Sequence, residues 1–407
     1  MTAAVVGLAL GDDVLQLAAA VEDELAWTGA IPATIGYVAG RAVVGGAAAA
    51  CAADARLARL RRHLAVADPR GVAGVAWPVV DGVARPPVEL LAWLFAAALR
   101  QVERRVGPIA GLAIAVPAEL SGLARRVVRD AGLAAGAPAV RLVAAPSALV
   151  LALDGAAAVR ALTLEVDRDA LRVAVVELVD GVIDQLGYTV EVAVDDPAPA
   201  DLVPAAVTAA CERVLAAASL STAALSDAVV VGSGVHAAAV AAHLAAWLGP
   251  VARSVPDPAG AVARGAARFA RMFVAEPAAI AIDAVEPGWL LGAGSALAAT
   301  VVRGAIAPTR EVRLIARDQA NRAAIDVELW EDSAPPRPYG RYHVTGLPPG
   351  AGAIAACEVT IDADLIPRIE ASDMVNGGAL AVAPVVEVGL HPDAVAALRA
   401  AVLEWEP

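Results

Sequence analysis

Two different periods of apolar residues divide this chain. Residues 3–10 and 14–20 are apolar runs separated by Gly11, Asp12 and Asp13, the pattern of a β-hairpin with an acidic turn. From 87 to 106, Val88, Leu91, Leu94, Phe95, Leu99 and Val102 recur at helical spacing with Arg and Glu between them. Ile109 to Val116 reads as a strand stopped by Pro117; a helix over 119–133, a strand over 139–144 and a helix after Pro146 follow. A second hairpin is predicted over 161–166 and 171–178, its turn made by Asp167, Arg168 and Asp169, and 182–194 extends the same sheet. Asp195, Asp196, Pro197 and Pro199 mark a loop. Helix 201–218, strand 228–231, a turn at Gly232, Ser233 and Gly234, and helices over 235–248 and 259–273 complete this region. Strands alternating with helices predict an α/β sheet domain.

Beyond Pro277 the period shortens to two. Residues 310–316, 323–330, 340–346, 354–361, 365–371 and 384–388 are short segments separated by turn residues, which predicts an all-β region. An amphipathic helix over 392–404 follows. Pro277 and Pro287 bracket the apolar stretch Ala278 to Ile282. The expected organisation is a first domain over 1–273, a linker over 274–286, a β domain over 287–390 and a C-terminal helix over 391–407.

Composition narrows the chemistry. The 407 residues are 59% hydrophobic but only 3% aromatic, so the core must be built from Val, Leu, Ile and Ala. Every basic residue is Arg; without lysine, no lysine chemistry is available. The formal net charge of −13 repels phosphate and anionic membranes, so nucleic acid and membrane are not expected partners. Cys51, Cys211 and Cys357 lie far apart and match no zinc or redox spacing, and no metal is expected. The run Ala3 to Leu10 lacks a basic flank and is a poor signal peptide. No uncharged apolar run approaches membrane-spanning length. A soluble, cytoplasmic protein is expected.

Several segments carry a resemblance to one family. VVGLALGDD at 5–13 and LTLEVDRDALRVAVVELVDGVI at 162–183 resemble two phosphate-binding hairpins. IAGLAIAVPAELSG at 109–122 resembles a strand and turn reading "ITVPAYFND", and AAPSALVLAL at 144–153 resembles "NEPTAAALAY". SDAVVVGSGVHAAAV at 226–240 resembles "VGGSTRIPKV", and DPAGAVARGAA at 257–267 resembles "NPDEAVAYGAA". Further on, IAID at 280–283 resembles an apolar interdomain linker, with Ile280, Ile282 and Asp283 at its centre. GRYHVTGLPPGAGA at 340–353 resembles "FELTGIPPAPRG", and CEVTIDADLIPRIEASD at 357–373 resembles "EVTFDIDANGILNVSAKD". In this collinear order the chain resembles a shortened, degenerate DnaK-type heat-shock chaperone. The resemblance implies an actin-like (ribonuclease-H-like) two-lobed α/β domain, reduced by at least one lobe, then a β-sandwich of the peptide-binding kind with its lid almost absent.

The departures from the family pattern bear on function. Where the family reads "DLGTT", this chain has Ala9, Leu10, Gly11, Asp12 and Asp13. Where it reads "DLGGGT", this chain has Glu165, Val166, Asp167, Arg168, Asp169 and Ala170. Glycines that let backbone N–H groups cradle phosphate are gone, and acidic side chains stand in their place. The glutamate of "NEPT" is Ala145. The resemblance implies a catalytic lysine that cannot exist here; Arg56 stands nearest its place, and a guanidinium is no substitute for a compact ammonium. Val182 is followed too soon by the helix at 201 for the lobe that clamps adenosine in the family.

The candidate sites follow from this comparison. The degenerate cleft comprises Gly11, Asp12, Asp13, Glu165, Asp167, Arg168, Asp169, Gly232, Ser233, Gly234 and His236. Its carboxylates either bind a cation or do acid–base work, or they are solvated turn residues neutralised by Arg168. The glycines at 232 and 234 either cradle a phosphate or make a tight strand-to-helix turn. Trp289, Leu290, Leu291 and Leu297 either line a peptide groove or fill the sandwich core. The expected function is an ATP-independent pseudo-chaperone or assembly partner that binds a client protein or peptide, without nucleotide or any other cofactor. The alternative is a cofactor-independent enzyme of specialised metabolism that has recruited the cleft for a small substrate.

Overall fold

The computed structural model describes residues 3–405 apart from 12, 23, 65–76, 154–157, 168–169, 193–203, 233, 254, 256, 276–280, 283–287, 295, 318–323, 334, 349–352 and 388–391. The first hairpin forms as its alternation predicts. β1 (Ala4–Leu10), β2 (Val14–Val21) and β3 (Glu24–Pro32) make an antiparallel meander, and β4 (Ile109–Val116) and β5 (Val140–Ala144) join β1 in parallel, giving the order β5-β4-β1-β2-β3. Parallel neighbours need crossovers, and the helices α1 (Pro87–Val106) and α2 (Gly122–Ala134) supply them. Pro87 starts α1 where its missing N–H costs nothing. Gly107, at φ +93°, ends it. Ser121 caps α2, its hydroxyl accepting from the Ala124 amide at 3.2 Å.

After α3 (Ala145–Leu151) the same scheme recurs. β6 (Ala158–Val166), β7 (Ala170–Val179) and β8 (Val182–Val192) form a second meander, and β9 (Asp227–Gly232) and the short β10 (Ala252–Arg253) add to β6 in parallel. The helices α4 (Pro204–Ala217) and α5 (Gly234–Leu248) make the crossovers. A sixth strand, β11 (Ala281–Ile282), pairs with β8 through Ile183–Ala281 and Asp184–Ile282. Ile282 of the linker-like segment is therefore an edge residue of the second sheet; Ile280 and Asp283 lie outside the described residues. The two sheets thus repeat one strand order.

The helix α6 (Pro258–Ala275) joins the two lobes, packing on β1, β2 and β4 on one side and on α3 on the other. The approach is close enough to dictate two glycines. A Cβ on Gly7 of β1 would stand 2.1 Å from the Ala263 carbonyl oxygen, and one on Gly265 would stand 1.6 Å from that of Ala148 in α3.

The all-β region forms β12 (Gly288–Gly292), β13 (Ala298–Val301), β14 (Thr309–Ala316), β15 (Ala324–Asp332), β16 (Arg337–Thr345), β17 (Ile354–Ile361), β18 (Pro367–Asp373) and β19 (Ala379–Glu387). All pair antiparallel, in the order β13-β12-β15-β16-β19-β18-β17-β14. Ile325, Val327 and Leu329 of β15 and Ala355, Cys357, Val359 and Ile361 of β17 point inward at every second position, as the alternation requires.

Three contacts fix this β domain on the first lobe. Trp289 lies in its core with an edge-on contact to Tyr339 at 5.1 Å, and a Cβ on Gly122 at the start of α2 would meet its ring at 2.6 Å. The buried Glu331 carboxylate lies by the Gly122 and Leu123 amides, at the end of α2 that favours negative charge, and burial still pushes its pKa above the usual range. Asp364, 5% exposed, accepts from Arg141 Nε at 3.0 Å and from the Leu142 amide at 2.9 Å, while Asp362 pairs with Arg129 at 2.8 Å. Burial pushes the Asp364 carboxyl above the usual range despite Arg141.

The expected lid remnant, α7 (Pro392–Glu404), is seated on α1 and α2 of the first lobe. Val402 is fully buried there, and Val395, Leu398 and Trp405 pack on the same core at helical spacing. The Trp405 indole donates to the Ala42 carbonyl at 3.0 Å and meets Trp93 edge-on at 5.3 Å. Arg100 donates to the Val402 carbonyl at 2.8 Å and lies over the Trp405 ring.

Two substitutions test this architecture. Gly265→Ala forces α6 away from α3 and should cost about 3 kcal/mol in chemical denaturation. Trp405→Ala should cost about 2 kcal/mol and release the α7 amides to fast hydrogen exchange, leaving β15 and β16 protected.

Candidate functional site

The cleft between the two lobes is lined by residues from both. Ala118 follows β4, and Ala145, Pro146 and Leu149 belong to α3. Thr163, Glu165, Arg172, Ala174 and Tyr188 come from β6, β7 and β8. Register brings the charges together: Glu165 and Arg172 are direct partners across β6 and β7, and Tyr188 faces Ala174 across β7 and β8. Arg172 donates from Nε to Glu119 Oε1 at 2.5 Å and from Nη1 to Asp167. Glu119, in the turn between β4 and α2, also accepts from the Tyr188 hydroxyl. Burial alone would lower the Arg172 pKa, but Glu165, Glu119 and Asp167 outweigh it and hold the guanidinium firmly charged. Burial and the neighbouring Glu119 push the Tyr188 hydroxyl well above the usual phenol range.

Glu119 belongs to the first lobe, whereas Arg172, Asp167 and Tyr188 belong to the second. The network therefore ties the lobes together across the cleft. What remains inside is a cavity of ≈ 10 Å³, with Ala145 on its wall. That is about the room for one water.

The sequence-derived cleft residues divide accordingly. Glu165 and Asp167 converge on Arg172. Asp13 is exposed and faces Arg59 at 3.9 Å; Gly11 bonds within its own hairpin, its amide donating to the Val14 carbonyl at 3.1 Å. Asp12, Arg168, Asp169 and Ser233 lie outside the described residues. Gly232 has a structural reason for its identity: φ is +138°, and a Cβ there would stand 2.2 Å from the Val166 carbonyl oxygen. Gly234 and His236 open α5, and His236 has no part in the network. Arg56 donates to the Ala49 carbonyl at 2.7 Å in a small sheet formed by Thr34–Val38, Arg41–Val44 and Arg56–Ala58. Glu119, Arg172 and Tyr188 were not singled out by sequence. A signal existed in the register, since Arg172 sits opposite Glu165 in the predicted hairpin, but Glu119 and Tyr188 are brought in only by the closure of the lobes.

Other chemistry is thin. Among the described residues no group of three metal-ligating side chains is close enough to hold an ion. Burial pushes the Cys211 and Cys357 thiols up to about 12 and about 11, far from the thiolate that nucleophilic or metal chemistry needs. No described helix is long and apolar enough to cross a membrane.

In the β domain, Trp289 and Leu291 are core residues, because the inward face of β12 closes against Tyr339 and α2. Leu290 and Leu297 are half-buried. A separate cavity of ≈ 450 Å³ opens beside the β12–β13 turn, lined by Gly292, Ala293, Arg313, Ile315, Ile325 and Arg341 among others.

Two comparisons with known proteins bear on the chain. No curated protein matches it. The family model described as Hsp70 protein matches residues 200–400, from α4 through the whole β domain into α7. An actin-like α/β domain followed by a β-sandwich, and a chaperone-like function in general, accompany that match. Together with the two hairpins, the doubled strand order and the eight-stranded β domain, that match supports a DnaK/Hsp70-type family member.

Proposed function

We propose that this chain is an ATP-independent, client-binding member of its family, working as a pseudo-chaperone or assembly partner in the cytoplasm. The observation that carries the reading is the Arg172 network. The cleft is filled with the protein's own charges, and a triphosphate would have to displace Glu119, Asp167 and Glu165 while adding negative charge beside them. At about 4 Å and an effective dielectric near 20, each such like-charge pair costs about 4 kcal/mol. The short connection between β8 and α4, residues 193–203, supports the loss of the adenosine-clamping lobe. A small-substrate enzyme is the weaker reading, because the ≈ 10 Å³ cavity offers no room for an organic molecule.

In this proposal the two domains keep one arrangement. A ligand shifts a conformational equilibrium only through different affinities for its states. Without nucleotide, the β11 pairing, the Asp364 contacts and the α7 seat hold the sandwich against the first domain. Client binding then belongs to the β domain, where the ≈ 450 Å³ cavity gives an extended segment somewhere to lie.

Calorimetry with ATP and Mg²⁺ should show no heat of binding at micromolar protein, and small-angle scattering profiles with and without ATP should superimpose; micromolar affinity would defeat the proposal. Glu119→Gln weakens the tie between the lobes and should lower stability by about 2 kcal/mol. Hydrogen exchange should then quicken along β8 and the β4–α2 turn.

A further inference from the structure

The strands β18 and β19 form a seam in the β domain. β18 pairs with β17 along its length and β19 pairs with β16 from Ala381 to Glu387. Between β18 and β19, only Ala371–Leu380 and Ser372–Ala379 pair among the described residues. The turn that joins them adds two backbone bonds. The Asp373 amide donates to the Gly378 carbonyl at 2.8 Å, and the Gly377 amide donates to the Asp373 carbonyl at 2.8 Å. The buried Asp373 carboxylate accepts from the Val375 amide at 2.9 Å. The tip, Met374 to Gly378, stands in solvent.

At that tip lies the chain's single Asn-Gly pair, Asn376–Gly377; the other asparagine, Asn321, is followed by Arg322. An asparagine carboxamide can be attacked by the next residue's main-chain nitrogen, and glycine is the neighbour that hinders this ring closure least. Gly377 sits at φ +70°, and a Cβ there would meet nothing within 4 Å, so the nitrogen's surroundings are open. Asn376 Oδ1 accepts from the Gly378 amide at 2.7 Å. That donor points at the atom on which negative charge gathers when a nucleophile adds to Cγ. One contact opposes the reaction: the Asp373 carbonyl holds the Gly377 proton, so ring closure waits for the turn to open.

We infer that Asn376 is a deamidation site whose conversion loosens the seam between β18 and β19. Hydroxide takes the Gly377 amide proton and the nitrogen bonds to Asn376 Cγ. The Cγ–Nδ2 bond breaks, and Nδ2 leaves as ammonia with a proton from water. Water then opens the cyclic imide at either carbonyl, giving aspartate or isoaspartate at 376; nothing is oxidised or reduced. Isoaspartate routes the main chain through the former side chain and lengthens it by one methylene. Loop length sets the register of a hairpin, so the lengthened turn loses the geometry that closes the Asp373 bonds. The inference holds whether or not the β domain binds a client.

The full chain and Asn376→Ser, whose hydroxyl keeps an acceptor near the Gly378 amide, should be aged side by side at neutral and alkaline pH. Peptide mass spectrometry, ion exchange and hydrogen exchange then follow them. In the peptide holding residues 373–378, the parent should gain the mass by which water exceeds ammonia, ahead of Asn321 and sooner at alkaline pH. The product should elute as a more negative species. The urea-unfolded parent should convert faster, because the Asp373 carbonyl no longer holds the Gly377 amide. In the converted fraction the β18 and β19 amides beside the turn should lose protection, while β12 and β15 keep theirs and aged Asn376→Ser stays unchanged. A folded parent that keeps its mass while the unfolded one converts overturns the site. Conversion without faster exchange at the seam, or equal loosening in aged Asn376→Ser, overturns the consequence drawn from it.

Discussion

Arg172 has to be paired. A guanidinium does not lose its proton in a protein, so one buried between two sheets must keep carboxylates around it or pay a desolvation cost of several kcal/mol. Those carboxylates come from three directions: Glu165 on the adjacent strand, Asp167 in the hairpin turn and Glu119 from the opposite lobe. Only the last is non-local, and it is the one that holds the lobes closed. The acidic replacements in the degenerate hairpin and the closure of the cleft are thus one electrostatic arrangement. In this arrangement the carboxylates serve as counter-ions to an internal cation.

The turn that supplies Glu119 does more than close the cleft. Three residues later Gly122 lies against Trp289, and the Gly122 and Leu123 amides meet Glu331 of the sandwich. Residues 119–123 therefore touch the second lobe at one end and the β domain at the other, on a rigid helix start capped by Ser121. Strain at either contact has a short path to the other. In this chain both contacts are made at once, which is the physical sense in which cleft and β domain are set together.

Much of the fold was legible because it rests on local patterning. The hairpins, α1, β4, β17 and α7 appear where the apolar periods place them, and the glycine at 265 was visible in a motif resembling "AYGAA" before its contact with Ala148 explained it. β3 was missed, since Glu24–Pro32 mixes Trp27, Gly29 and exposed positions and draws its register from β2. The site was less legible. Asp167 and Glu165 were found as turn and strand carboxylates, but their meaning depends on Arg172, an arginine indistinguishable in sequence from any other on an amphipathic strand. Trp289 illustrates the opposite limit: an apolar strand residue can line a groove or fill a core, and only the packing of Tyr339 and Gly122 around it decides. The seat of α7 was invisible for the same reason, because it joins residues far apart in sequence.

That seat also places a demand on synthesis. Ala42 and Trp405 are 363 residues apart, and the face of α1 that holds Trp405 is made early. At about 5–20 residues per second, translation leaves that face, complete at Val106, waiting roughly 15–60 s for its covering helix. During this interval the ring of Trp93 and the apolar ridge beside it are open to any passing surface. A relative of the chaperones is, in its own first lobe, a nascent chain in need of shelter.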